Sequence, residues 1–212
     1  YLAIDKTKKV ITVSSSIGGE GKTFCSMNIA SIFALSGKKT VLIGADLRKP
    51  KLELEFKSEN KSGLSNYLIN KSSLKEITNK TEVENLDIIF SGPTPPNPAE
   101  LLDSTKMQEL IKKLNIEYDY VIIDTPPIGL VTDGVILMKN ADINLYVVRH
   151  NYTKYQALSV VNGLYNNKQV ENLQIIINDY QNDMGNYGYG YGYGYGYGYG
   201  GGYGYYEEDE KS

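Results

Sequence analysis

A short apolar run at residues 10–13 is followed at once by SSSIGGEGKT at residues 14–23, and then by a helix-like stretch over 22–36 that stops at Gly37. Strand, glycine-rich loop and helix in immediate succession leave few possible folds. Gly18, Gly19 and Gly21 let the backbone curl so that successive amide groups point inward at an anion, and the helix that follows adds its positive end. In that geometry Lys22 reaches the β- and γ-phosphates of a nucleotide and the Thr23 hydroxyl binds Mg²⁺. The fit to the GxxxxGK[ST] pattern is incomplete, because Ser16 occupies the first glycine position. A chance glycine-rich turn is the alternative, and the strand-loop-helix setting argues against it.

Further β-branched apolar runs at 40–43, 86–90, 120–123, 143–148 and 173–177 read as buried strands. Between them the stretch 98–114 reads as one helix, with Asn97 as cap, Pro98 at the first helical position and Glu100 completing a capping-box-like pattern. Alternating strand and helix predicts an α/β fold, a P-loop NTPase-type, mostly parallel sheet with helices on both faces. Ligands of such sheets bind beyond the carboxyl ends of the strands. There VLIGADLRKP at 41–50 offers Asp46 and VIIDTPP at 121–127 offers Asp124. A carboxylate closing a wholly apolar strand calls for a cation or a water network to compensate it. A turn-capping role is open for each taken singly; jointly with the loop, Mg²⁺ is the better explanation.

Residues 1–184 have ordinary globular composition and predict one domain. Residues 185–212 differ. Ten tyrosines, Tyr187, Tyr189, Tyr191, Tyr193, Tyr195, Tyr197, Tyr199, Tyr203, Tyr205 and Tyr206, alternate largely with glycine, a composition that predicts a disordered tail. By composition they are either chemical acceptors or a sticky, weakly associating tract. The net charge of -3 lies wholly in this tail, from Glu207, Glu208, Asp209 and Glu210 against Lys211. The remaining body is neutral and carries no basic footprint for nucleic acid, so no nucleic-acid partner is expected. The single cysteine, Cys25, excludes an intramolecular disulfide framework and reads as core filling. No apolar run approaches bilayer-spanning length, so the chain as given is expected to be soluble. Its start at Tyr1 suggests a piece of something longer. His150 reads as a loop residue, and Arg149 as half of a surface salt bridge or a functional cation.

Taken in order, the loop, ADLRKP, GPTPPNPAELL at 92–102, DYVIIDTPP and the terminal tyrosine cluster resemble the cytoplasmic kinase domain of bacterial tyrosine kinases (BY-kinases) that regulate capsular and exopolysaccharide export. The resemblance covers nearly the whole chain. It implies a P-loop ATPase fold related to the partition and septum-site ATPases, ATP and Mg²⁺ as cofactors, and autophosphorylation of the tail tyrosines. It also implies a Walker A loop over 16–23, with Gly18, Gly19, Glu20, Gly21, Lys22, Thr23 and the adjoining Phe24 binding nucleotide. Walker A′ falls at 41–48 and Walker B at 121–124. Lys22, Asp46 and Asp124 are then catalytic, Thr23, Asp46 and Asp124 hold metal, and Asn178 resembles the asparagine that reads the adenine base. Arg48 belongs to the recognised motif and would contact phosphate or a partner subunit. The family further implies a homo-oligomeric ring and a transmembrane polysaccharide co-polymerase region or adaptor. It implies a tyrosine phosphatase as well, and residence on the cytoplasmic side of the bacterial inner membrane. Two departures stand out. The first aspartate of the A′ D-x-D pattern is Gly44, which leaves the catalytic base open between Asp46 and Asp124 and gives weight to a pseudokinase or assembly-ATPase reading. No E-x-x-R-x-x-R motif, associated with ring assembly, lies within residues 1–9.

Overall fold

A computed structural model describes residues 9–58, 61–129 and 133–181. The strands are β1 (Val10–Ser15), β2 (Thr40–Gly44), β3 (Thr78–Lys80), β4 (Leu86–Ile89), β5 (Tyr120–Asp124), β6 (Ile143–Arg149) and β7 (Leu173–Asn178). They form one sheet in the order β3-β4-β2-β5-β1-β6-β7. All neighbours run parallel except β3 and β4. The helices are α1 (Lys22–Leu35), α2 (Leu52–Glu55), α3 (Leu64–Leu68), α4 (Leu74–Ile77), α5 (Pro98–Asp103), α6 (Thr105–Glu117), α7 (Asp133–Lys139) and α8 (Ala157–Asn166).

The period-two geometry of a strand sorts the apolar residues onto two faces. Val41 and Ile43 of β2 join Val121 and Ile123 of β5 on one face, beneath Leu110, Ile111 and Leu114 of α6. Leu42 and Ile122 face the other way with Ile11 and Val13 of β1, beneath Cys25, Ala30 and Ala34 of α1. Small residues on α1 let its backbone lie close to the sheet, which holds the phosphate-loop end of the helix over β1 and β5. Because β1 lies between β5 and β6 while its chain continues through α1 to β2, the strand order reverses here. The crevice at this switch point opens beyond the carboxyl ends of β1, β2 and β5.

The expected parallel α/β sheet is present, with two differences of detail. The stretch expected as a single helix over 98–114 is two helices, because Ser104 adopts φ -66 and ψ 150 between them. Its Oγ accepts from the Met107 N–H at 3.2 Å and so starts α6 afresh. Asn97 makes no side-chain cap to the backbone of α5. Its Nδ2 instead donates to Glu100 Oε2 at 2.6 Å. Between β2 and β4 the chain adds α2, α3, α4 and the antiparallel β3, elements of three to five residues that are too short to show a period. Among the described residues no helix is long and apolar enough to cross a membrane. The boundary expected at 184/185, the ten tail tyrosines and residues 1–8 lie outside the described residues.

Candidate functional site

The loop after β1 is held from behind. Tyr152 donates its hydroxyl to the Gly18 carbonyl at 3.0 Å, Arg149 Nη1 donates to the Gly19 carbonyl at 3.1 Å, and Asn178 Nδ2 donates to the Glu20 carbonyl at 3.0 Å. Three successive carbonyls are thus turned toward β6, β7 and the turn after β6. A trans peptide sets its N–H opposite its C=O, so the following amides, those of Gly19, Glu20 and Gly21, face the crevice. This is the polarity an anion requires. Gly19 and Gly21 reach it with φ of 90 and 95, in the left-handed region open to glycine.

Glu20 serves the loop in a different way from its neighbours. Its side chain is fully buried; Oε2 accepts from the Ile17 N–H at 2.8 Å and Oε1 from the Thr153 hydroxyl at 2.5 Å. It is an internal brace, and only its backbone is available to a nucleotide. Ser16, the departure from the glycine pattern, is buried with its Oγ 2.7 Å from the Tyr146 hydroxyl. Burial pushes that tyrosine's ionisation up, with the Ser16 hydrogen bond opposing, so the phenol stays neutral and can share its proton with the serine.

The residues expected to carry chemistry converge. Lys22 Nζ lies 3.3 Å from Asp46 and 3.6 Å from Asp124, in a pocket where all three side chains are nearly buried. The ammonium makes no hydrogen bond of good geometry despite this proximity. A buried cation within reach of two carboxylates yet bonded to neither has donors free for a phosphate. Thr23 Oγ1 donates to Asp124 Oδ2 at 2.8 Å and Ser26 Oγ to Oδ1 at 3.3 Å. Burial pushes the Asp124 carboxyl up, while Lys22 and the Thr23 hydrogen bond pull it back toward the ionised form. Asp46 accepts from the Lys49 N–H at 3.0 Å, which fixes its carboxylate at the start of the turn after β2.

Lys22, Thr23 and Asp46 line a cavity of about 500 Å³ that also includes Gly18, Gly19, Arg48 and Pro126. Phe24 stands at its edge, 62% exposed. Among the described residues no cluster of three or more His, Cys, Asp or Glu side chains is arranged to hold a metal. The donor set of one hydroxyl and isolated carboxylates suits Mg²⁺, which keeps water and takes ligands from phosphates, better than a dedicated protein cage would.

The sequence reading missed the supports. Arg48, expected against phosphate or a partner subunit, makes a two-pronged ion pair with buried Asp133 at 2.8 and 3.1 Å, tying the turn after β2 to α7. Arg149 does form a salt bridge, to Asp179 at 3.0 Å, while also holding the loop carbonyl. Its position at the end of a strand was the one available signal; nothing in the sequence marked Tyr152 or Thr153. His150 sits beside the Tyr180 ring and accepts from the Gln181 N–H at 3.3 Å.

The family model for the AAA domain matches residues 8–180. Tyrosine-protein kinase YwqD of Bacillus subtilis is 42% identical over 154 residues, covering 73% of this chain and 65% of that protein. The kinase domain of Escherichia coli tyrosine kinase ETK superposes with a TM-score of 0.79 at 30% identity, covering 90% of this chain and 75% of that one. The chain belongs to the bacterial tyrosine-protein kinase family. A further member, tyrosine-protein kinase ptk of Acinetobacter johnsonii, is 38% identical over 84% of this chain, and the match takes up 24% of that longer protein. As a kinase-family chain it therefore spans somewhat less than two thirds of the Bacillus relative and about a quarter of the Acinetobacter one.

Proposed function

We propose that this chain is an ATP-dependent protein tyrosine kinase domain that transfers the γ-phosphoryl group of Mg²⁺-ATP to tyrosine hydroxyls. The ten tyrosines of its own C-terminal tail, residues 185–212, are the main acceptors. The observation that carries this reading is the meeting of Lys22, Thr23, Asp46 and Asp124 at the mouth of a loop whose carbonyls are all turned away.

Mg²⁺, when bound, offsets phosphate charge and aligns the transferring group. Thr23, Asp46 and Asp124 are the residues that would hold it, on either side of Lys22. The amides after Gly18, Gly19 and Glu20 cradle the phosphates, and Lys22 turns from the carboxylates to the β- and γ-phosphates. In the transfer the bond from the γ-phosphorus to the ADP oxygen breaks and a bond to the tyrosine oxygen forms. The hydroxyl proton passes to a carboxylate. Asp46 is better placed than Asp124 to receive it, because Asp46 lines the cavity whereas both Asp124 oxygens already accept hydrogen bonds. Phe24 at the cavity edge contacts the nucleotide. Asn178 reads the base with its carbonyl and its second N–H, the first being bonded to Glu20.

In the cell this activity regulates polymerisation and export of an exopolysaccharide or capsule from the cytoplasmic face of the bacterial inner membrane. The kinase works as a ring of identical subunits with a transmembrane co-polymerase region or adaptor, and a tyrosine phosphatase reverses its action. Membership of the kinase family and the greater length of its relatives support this reading. One observation favours a second reading, a nucleotide-switched adaptor or assembly ATPase without transfer: Gly44 at the first A′ position.

Incubation with Mg²⁺-ATP followed by mass-spectrometric mapping separates the two. The kinase reading expects phosphotyrosine between Tyr187 and Tyr206. Nucleotide binding and hydrolysis with no phosphotyrosine anywhere would leave only the second reading.

A further inference from the structure

The cavity lined by Lys22, Thr23 and Asp46 has a second charged wall, made of Arg48, Lys49, Lys51 and Glu55. All four are exposed and belong to the turn after β2 or to α2. Arg48 is neutralised by its ion pair with Asp133. Lys49 and Lys51 differ, since among the described residues neither ammonium has an ion-pair partner. Glu55 follows Lys51 by four positions, yet the two make no ion pair. The wall therefore presents two uncompensated cations against one carboxylate.

These cations stand next to the group that meets the acceptor. Lys49 donates its backbone N–H to Asp46 Oδ1 at 3.0 Å, and Asp46 is the carboxylate better placed to receive a tyrosine proton. A tyrosine whose hydroxyl reaches Asp46 carries its flanking residues to the same turn. One to three places along an extended chain is about 4–10 Å, and the Debye length at physiological salt is about 8 Å. Acidic flanks would be repelled by the nucleotide phosphates and by Asp46 and Asp124, so an acidic acceptor needs cations on its side of the cavity.

The chain itself contains such an acceptor. Tyr187 to Tyr203 of the tail are each followed by glycine, whereas Tyr205 and Tyr206 run straight into Glu207, Glu208, Asp209 and Glu210. We propose that Lys49 and Lys51 are specificity-determining residues for the acceptor, and that they favour tyrosines followed by carboxylates. The inference rests on the kinase reading and adds the substrate class, an acidic tyrosine peptide. Tyr205 and Tyr206 are then preferred over the tyrosines that precede them.

The test supplies two peptides in trans, residues 204–212 and the same peptide with Gln, Gln, Asn and Gln in place of its four acidic residues. The enzyme is the full chain with its ten tail tyrosines changed to phenylalanine, so that label enters only the peptide. With both lysines present, kcat/KM for the acidic peptide is expected to be about fivefold the neutral one, chiefly through KM. The preference should fade at about 0.5 M salt. In Lys49→Gln/Lys51→Gln, which keeps the Lys49 backbone N–H, the ratio should fall to about one while the Kd for ADP does not rise. Equal rates on the two peptides with the lysines present, or a preference that persists in the double variant, overturns the proposal and leaves the kinase reading intact. An equal loss on both peptides together with weaker ADP binding also overturns it, because the lysines then serve the nucleotide. No label in either peptide, and none in the tail of the wild-type chain, overturns both.

Discussion

At the residue scale, Gly21 has two separate reasons to be glycine. Its φ of 95 is strained for any L side chain, and a Cβ would collide with the Asn178 amide nitrogen that holds the Glu20 carbonyl. The left-handed conformation alone costs about 1–2 kcal/mol for a non-glycine residue. Gly21→Ala is therefore expected to weaken nucleotide binding more than tenfold while the rest of the fold stays intact, as measured by calorimetric titration beside far-ultraviolet circular dichroism. Cys25 makes a prediction of a different kind. Burial first, and the negative charge of Asp124 second, push its thiol above the ordinary value. Less thiolate is present at a given pH, so alkylation by iodoacetamide is expected to be slower than in the urea-unfolded chain, with its rise displaced to higher pH. The folded state also keeps this proton where the unfolded chain has lost it. Above the ordinary thiol range stability should therefore decline with rising pH, and Cys25→Ala should remove that part of the slope. Lys22, Thr23, Asp46 and Asp124 could be picked out of the sequence because each lies at or after the end of a strand within a patterned motif. Tyr152 and Thr153 could not, because their role depends on how the turn after β6 reaches back to the loop, and for Arg149 only the salt bridge was legible, not its bond to the Gly19 carbonyl.

At the scale of elements, apolar β-branched runs marked six of the seven strands, since burial on both faces leaves a continuous signal; the run at 173–177 was expected to be buried too, but it forms β7 at the end of the sheet order, where Ile175 and Ile177 are exposed. The seventh, β3, is three polar residues at the sheet edge, with Thr78, Asn79 and Lys80 half-buried or exposed, and offers no such signal. The helix expected over 98–114 divides because the Ser104 side chain competes with the backbone: its Oγ donates to the Leu101 carbonyl at 2.6 Å and accepts from Met107 N–H. That makes it the cap of α6, whose Leu110, Ile111 and Leu114 cover β2 and β5. Ser104→Ala is expected to cost about 1 kcal/mol, read as a lower denaturation midpoint with an unchanged m-value. Nucleotide affinity should stay near wild type, since α6 lies on the face away from α1.

For the whole molecule, a neutral α/β body is followed in the chain by a terminal segment that holds both the net charge and ten tyrosines. Each phosphate adds about -1.5 to -2 charges at neutral pH, so autophosphorylation should appear as a ladder of increasingly acidic species on anion exchange. Changing the ten tail tyrosines to phenylalanine should abolish the ladder. Such charge accumulating at one end would weaken self-association at low salt, where repulsion is least screened. The most direct test of the central claim follows transfer of label from γ-³²P-ATP to tyrosine in purified protein, wild type against Lys22→Met. The account predicts labelled phosphotyrosine in the wild type and at least a hundredfold less in the variant, because the loop amides remain while the cation that engages the transferring group is gone. Equal labelling in the two proteins would contradict it.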